Sequence, residues 1–360
     1  MKIPVLKPTP PSIEEIAAYL RKSYETNSFS NGGPCVKSLE EKLSGWVHSE
    51  AVLMSNATVA LRVVLNAMGL KDCDVLVPSF TFAATACSII DAGCRPVLVD
   101  CDPETLMLSL PDAEAKITPS TRALVVVQAL GYCCDPALYE SFAKKYGLSL
   151  IFDSAAALGA RYNNGERVGS AGDAEVFSLH ITKTFGVGEG GLVTTRDPLI
   201  AQRCRQLINF GFDQNLTSLA VGTNAKMSEF HAAVGLAVFE RIDGKLALRE
   251  KVYQFYRENL KRVRFLQSTS AHQVFPILFD SKKIRDAVLS ELEQSGVGSR
   301  IYYKPLHLHP SFQSFVKTTY PISQNIYETI LCIPMWEGIS ETELGRVVDI
   351  VNKITELNSL

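Results

Sequence analysis

Phe177-Ser178-Leu179-His180-Ile181-Thr182-Lys183, closed shortly afterwards by Gly188-Glu189-Gly190-Gly191, is the stretch that decides the fold. It sets one lysine between a strand-like apolar run, Ala174 to Phe177, and a glycine-rich turn. Upstream, Leu148 to Phe152 reads as a buried strand that delivers Asp153 at its end. A lysine and an aspartate at the ends of two strands can form the two poles of a pyridoxal phosphate site. The amine forms a Schiff base, and the carboxylate keeps the ring nitrogen protonated so that the ring becomes an electron sink.

Outward from this stretch, short apolar runs alternate with helix-period segments between about Val52 and Thr195. The runs are Asp74 to Val77, Pro96 to Asp100, Ala123 to Val127, Leu148 to Phe152, Ala174 to Phe177 and Gly191 to Thr195. Such alternation predicts an α/β sandwich on a mostly parallel sheet, with its site beyond the carboxyl ends of the strands. After about Ser228 the pattern changes. A helical stretch runs from Met227 to about Leu260 with a break near Asp243-Gly244, then a strand near Val274 to Phe279 and a helix from Lys282 to Ser295. We therefore expect a large α/β domain over residues 1–245 and a smaller C-terminal α+β domain over 246–360, with the N-terminal segment packing near the smaller one.

The balance of 36 basic and 38 acidic residues leaves no positive surplus for a nucleic-acid backbone or an anionic membrane. No apolar run is long enough to span a bilayer, and Met1-Lys2-Ile3-Pro4 does not open a signal peptide, so the expected location is cytoplasmic. Nine cysteines, with no Cys-x-x-Cys pair, read as reduced and mostly buried thiols. No metal centre is expected: Gly93 and Pro96 interrupt the spacing of Cys87, Cys94 and Cys101, and His307-x-His309 has no nearby carboxylate or thiol.

Five segments carry a family resemblance. They are SNATVAL (Ser55 to Leu61), VPSFTFAATA (Val77 to Ala86), FDSAAALGA (Phe152 to Ala160), FSLHITK with GEGG, and GTNAKMSEFHAA (Gly222 to Ala233). In this order, across about Pro8 to Pro334, the chain resembles the DegT/DnrJ/EryC1/StrS family of pyridoxal phosphate-dependent sugar aminotransferases, which have the type I aminotransferase fold.

The resemblance makes Lys183 the Schiff-base lysine and Asp153 the partner of the pyridine nitrogen. It assigns Ala57 and Thr58, at a helix start, to the cofactor phosphate, with Ser178 adding a hydroxyl. Phe82 takes the place of the aromatic that stacks on the ring, with Phe80 the competing candidate. Asn224 matches a residue that reaches the phosphate across a subunit boundary, which implies a homodimer with shared active sites. Tyr302, Tyr303 and His307 fall near the substrate mouth, and Asn27 to Pro34 resembles a substrate-side loop.

Two positions depart from the family pattern. Ala156 stands where His or Gln contacts the cofactor's phenolic oxygen, and Gln128 stands where His is frequent. Both lie at strand ends facing one crevice, so Gln128 is a candidate to replace the missing contact, with water as the alternative. The implied activity is ping-pong amination of a keto-sugar, nucleotide-linked by resemblance, with L-glutamate as donor. The rival readings are a sugar dehydratase of the same family, in which the lysine is replaced, and a cofactor-binding regulatory protein without turnover.

Overall fold

The computed structural model describes residues 2–267 and 269–358. Met1, quoted for the leader reading, lies outside the described residues, as do Ser359 and Leu360 at the end of the smaller domain's range. The chain begins with α1 (Ile13–Glu25) and α2 (Pro34–Val47), then alternates through β1 (Glu50–Met54), α3 (Ala57–Ala67), β2 (Asp74–Pro78), α4 (Ala83–Asp91) and β3 (Arg95–Val99). It continues through α5 (Leu110–Ala115), β4 (Thr121–Val127), α6 (Pro136–Tyr146), β5 (Ser149–Asp153), β6 (Ala174–Ser178), β7 (Gly191–Thr195) and α7 (Pro198–Leu207).

The strands pair in the order β1-β7-β6-β5-β4-β2-β3. All neighbours from β6 to β3 are parallel, and β7 runs antiparallel to both β6 and β1. Alternate residues of each strand feed opposite apolar layers. Leu124, Val126, Phe152 and Phe177 enter one core, while Val125, Ile151, Val176 and Val193 enter the other. Burial on both faces is why these strands read as continuous apolar runs. The alternation is therefore borne out as a mostly parallel α/β sandwich.

Beyond the sheet come α8 (Glu229–Phe239) and α9 (Ile242–Asn259). The helix break falls at Glu240-Arg241, which corrects the expected break at Asp243-Gly244. Gly244 lies inside α9 in open space, where a glycine costs only about 1 kcal/mol and need not end a helix. The rest comprises β8 (Phe275–Leu278), α10 (Lys282–Gln294), α11 (Pro321–Thr329), β9 (Ile330–Ile333) and α12 (Glu341–Leu357). β8 pairs antiparallel with β9, a partner the sequence reading did not mark.

These later elements have their own core, built on Tyr256, Phe275, Ile277, Val288, Leu292 and Val347. The chain's start joins it. Ile3 is buried there and bridges Val297, donating to Gly296 O at 3.0 Å and accepting from Gly298 N–H at 2.7 Å. α9 links the two cores, with Ile242 in the sandwich and Val252 and Tyr256 in the second core. Along its length, Lys245 and Arg249 meet Glu337 at 3.1 and 2.8 Å, all three nearly buried.

All nine cysteines are free, and Cys87 alone is exposed. Among the described residues, no helix is long and apolar enough to cross a membrane.

Candidate active site

β4, β5 and β6 end at one cavity of about 430 Å³, and Asp153 and Lys183 both line it. Asp153 is the last residue of β5. Its Oδ2 accepts from Thr85 Oγ1 at 2.7 Å, and its Oδ1 accepts from Ala155 N–H at 3.3 Å. Thr85 Oγ1 also lies 2.8 Å from Thr81 Oγ1; because Thr85 donates to the carboxylate, Thr81 donates to Thr85. Burial raises the Asp153 carboxyl, while Thr85, Ala155 and the nearby Lys183 pull it back toward the charged form.

Lys183 sits in the loop after β6, which the glycine turn folds back on itself. Leu179 N–H donates to Gly190 O and Ile181 N–H to Gly188 O, each at 2.8 Å. Gly188 has φ +108°, a conformation open to glycine but strained for other residues. Burial lowers the Lys183 ammonium below its ordinary 10.5, opposed by Asp153, so the neutral nucleophile becomes accessible nearer neutral pH.

The anion end of the cavity forms where β1 runs into α3. Asn56 caps the helix by accepting from Val59 N–H at 2.9 Å. The first helical bond runs from Ala60 N–H to Asn56 O, so the helix ladder does not consume the N–H groups of Ala57 and Thr58. A Cβ on Gly191 would lie 2.4 Å from Asn56 O; only glycine lets β7 approach this turn so closely. Ser178, at the end of β6, also lines the cavity, and its Oγ accepts from His180 N–H at 3.3 Å.

The remaining expected residues divide. Phe82 lines the cavity and is exposed, whereas Phe80 is fully buried in the core; of the two, only Phe82 presents a ring to a ligand. Tyr302, Tyr303, Gln128 and Ala156 line the same cavity. His307 does not. Its Nδ1 pairs with Ser79 Oγ at 2.7 Å and its ring stacks on Tyr320, so its side chain is engaged outside the cavity wall. Asn224 is exposed and does not line this chain's cavity; its expected role concerns a partner's site.

Three residues were missed by the sequence reading. Thr85 lies inside the quoted VPSFTFAATA segment but was not singled out. Gln273 donates to Thr182 O at 2.7 Å and accepts from Thr184 N–H at 2.9 Å, and no motif marks it. Arg300 brings a cation to the wall beside Tyr302, whose hydroxyl it reaches at 2.9 Å.

A buried lysine of lowered basicity, a strand-end carboxylate, unconsumed helix N–H groups and an exposed aromatic around one cavity fit pyridoxal phosphate. Fold and site together define a pyridoxal phosphate-dependent aminotransferase of the type I fold. More narrowly, the chain belongs to the DegT/DnrJ/EryC1/StrS aminotransferase family, whose model matches residues 10–352. Among curated relatives, the dTDP-4-amino-4,6-dideoxy-D-glucose transaminase of Shigella dysenteriae is 33% identical, over 97% of this chain and 98% of that protein. The GDP-perosamine synthase of Caulobacter vibrioides is 32% identical, over 93% and 94%. The crystal structure of DesI with its TDP-sugar product superposes with a TM-score of 0.92 at 34% identity, covering 99% of this chain and 95% of that one.

Proposed function

We propose that this aminotransferase converts a nucleotide-linked keto-sugar into an amino-sugar, takes the amino group from L-glutamate, and works as a homodimer with shared sites. The observation that carries the reading is the convergence of Lys183, Asp153 and Arg300 on one cavity. The names of the relatives, which refer to dTDP-, GDP- and TDP-linked sugars or their products, support the substrate class.

Bound pyridoxal phosphate supplies the sink for the electron pair released at the substrate carbon. Asp153 holds the proton on the ring nitrogen, and Thr85 with Ala155 N–H keeps the carboxylate aimed. Lys183 Nζ is the group that would hold the cofactor as its imine and that, as a free amine, would move the proton at the reacting carbon. Ala57 and Thr58 N–H groups and Ser178 Oγ hold the phosphate. Phe82 covers one face of the ring. Arg300 is the only arginine or lysine besides Lys183 on the cavity wall among the described residues, and it takes an anionic group, a donor carboxylate or the sugar's diphosphate. The acceptor half repeats the donor half in reverse.

The homodimer reading is supported by an exposed apolar run beside Asn224. Phe210, Leu216, Leu219 and Val221 all stand open, the last entirely so. The test is to add L-glutamate to the protein loaded with pyridoxal phosphate. Loss of the visible cofactor band together with release of 2-oxoglutarate, both absent in Lys183→Ala, is the expected result. A visible band that ignores glutamate refutes the donor assignment. A nucleotide-linked keto-sugar that fails to restore the band refutes the acceptor class. Sedimentation measures the dimer.

A further inference from the structure

Gln128 directly follows β4 and is 1% exposed, yet it lines the cavity. Its N–H donates to Asp153 O at 3.0 Å, which sets it beside the carboxylate that meets the ring nitrogen. Its side-chain Oε1 is buried and has no partner in the chain. A buried carbonyl left unmatched is costly unless a ligand answers it.

Which end of the amide faces the ligand depends on a hydrogen-bond chain behind it. Gln128 Nε2 lies 2.9 Å from Tyr162 Oη, and Tyr162 Oη lies 2.9 Å from Glu175 Oε1. Glu175 is fully buried. Its Oε1 also accepts from Gly169 N–H at 2.8 Å and Ala171 N–H at 2.9 Å, two groups that can only donate. That oxygen is therefore an acceptor, and Tyr162 must give it the hydroxyl proton. The Tyr162 oxygen is left to accept, so the Gln128 amide nitrogen must point at it. Burial raises the Glu175 carboxyl, but a proton there would sit on Oε2 against Ser154 Oγ, leaving Oε1 an acceptor.

We infer that the buried Tyr162–Glu175 pair locks Gln128 so that it presents a hydrogen-bond acceptor to the cavity, and that this acceptor takes the hydroxyl of the cofactor's pyridine ring. The inference rests on the pyridoxal phosphate reading. At the position three residues after Asp153, Ala156 has no polar side chain to compete for that hydroxyl. Gln128 is then a binding residue that favours the protonated hydroxyl, while Tyr162 and Glu175 are positioning residues.

The experiment titrates the full-length protein with pyridoxal 5′-phosphate and records affinity and the balance of long- and short-wavelength cofactor bands across pH. Gln128→Leu removes the acceptor and should weaken cofactor binding about three- to ten-fold, the loss of one neutral hydrogen bond. It should also shift the balance toward the deprotonated-hydroxyl band. Tyr162→Phe frees the amide to turn its nitrogen toward the ring and should shift the balance the same way, at intact fold by circular dichroism. Glu175→Gln keeps an acceptor oxygen for Gly169, Ala171 and Tyr162 and lets its amide donate to Ser154, so it should rescue the native balance. Native affinity and band balance in Gln128→Leu would overturn the inference, as would Glu175→Gln behaving like Tyr162→Phe. Absence of any visible band in the unmodified protein, matching Lys183→Ala, would instead sink the cofactor reading beneath it.

Discussion

Gln273 grips the main chain on both sides of Lys183. Its amide nitrogen donates to Thr182 O at 2.7 Å and its amide oxygen accepts from Thr184 N–H at 2.9 Å. One side chain from the segment leading into β8 therefore fixes the loop that aims the reactive amine. Gln273→Ala leaves a buried N–H without its partner, which costs about 1–3 kcal/mol of stability. A lysine displaced by about 1 Å would lose on the order of a hundred-fold in rate. Denaturant unfolding and the single-turnover rate with L-glutamate measure the two effects separately; a native rate would refute the positioning role.

Lys183 and Asp153 predict the pH dependence of cofactor capture. Burial lowers the Lys183 amine below 10.5, and the Asp153 charge partly restores it. The neutral amine is the attacking form, so capture of pyridoxal phosphate should rise with pH with a midpoint below 10.5. Asp153→Asn removes the charge that raises the amine and should move that midpoint lower still. In the folded apo-protein the lowered amine also binds fewer protons than the unfolded chain between its shifted value and 10.5. Stability contributed by this group therefore rises with pH across that window. Stopped-flow absorbance across pH reads the midpoint.

Gly191 admits no side chain. A methyl at this residue would press on Asn56 O and the Ala57 nitrogen, backbone atoms that cannot swing aside. Gly191→Ala should push β7 away from the first turn of α3 and weaken pyridoxal phosphate binding by about ten-fold or more, with a stability loss of about 1–3 kcal/mol from overpacking. Equilibrium titration with the cofactor checks this, and inorganic phosphate as competitor shows whether the loss lies at the anion end.

Glu337 holds Lys245 and Arg249 against the second core. Glu337→Ala would strand two buried cations and should lower unfolding stability by about 3–5 kcal/mol. Burial raises the Glu337 carboxyl, but Arg249 and then Lys245 outweigh it and hold the group below its ordinary 4.5. Its contribution is complete above pH 4.5 and is lost as pH falls through the lower folded value. Urea unfolding from pH 6 downward should show this loss in the unmodified protein and lack it in Glu337→Ala.

The parts of this fold legible in the sequence were those with local causes. Ala123 to Val127 of β4 and Leu150 to Phe152 of β5 are apolar without interruption because helices cover both faces of the sheet; Asp153 closes β5, and Lys183 follows in the loop after β6. β9 escaped because Ile330 is at once the C-cap of α11 and the first residue of the strand, with no turn residue between them. Gly244 drew the helix break three residues past its real place because an exposed glycine resembles a terminator when its surroundings are unknown. Gln273 and Arg300 were invisible for another reason. Gln273 lies far along the chain from Thr182, and Arg300 from Lys183 and Asp153 on the same cavity wall, and no spacing rule connects them.

The first residues of the chain are built into its last elements. Besides the Ile3 bridge, Val5 O accepts from Met335 N–H and Pro4 O from Trp336 Nε1–H, each at 3.1 Å, and Thr9 bonds Glu337. A ribosome makes residues 3–9 long before residues 297–337 exist. Until then their native partners are absent, while all seven strands of the large sheet are already made. The segment around Ile3 is thus made well ahead of the residues it pairs with, and it can complete the smaller core only once they have emerged.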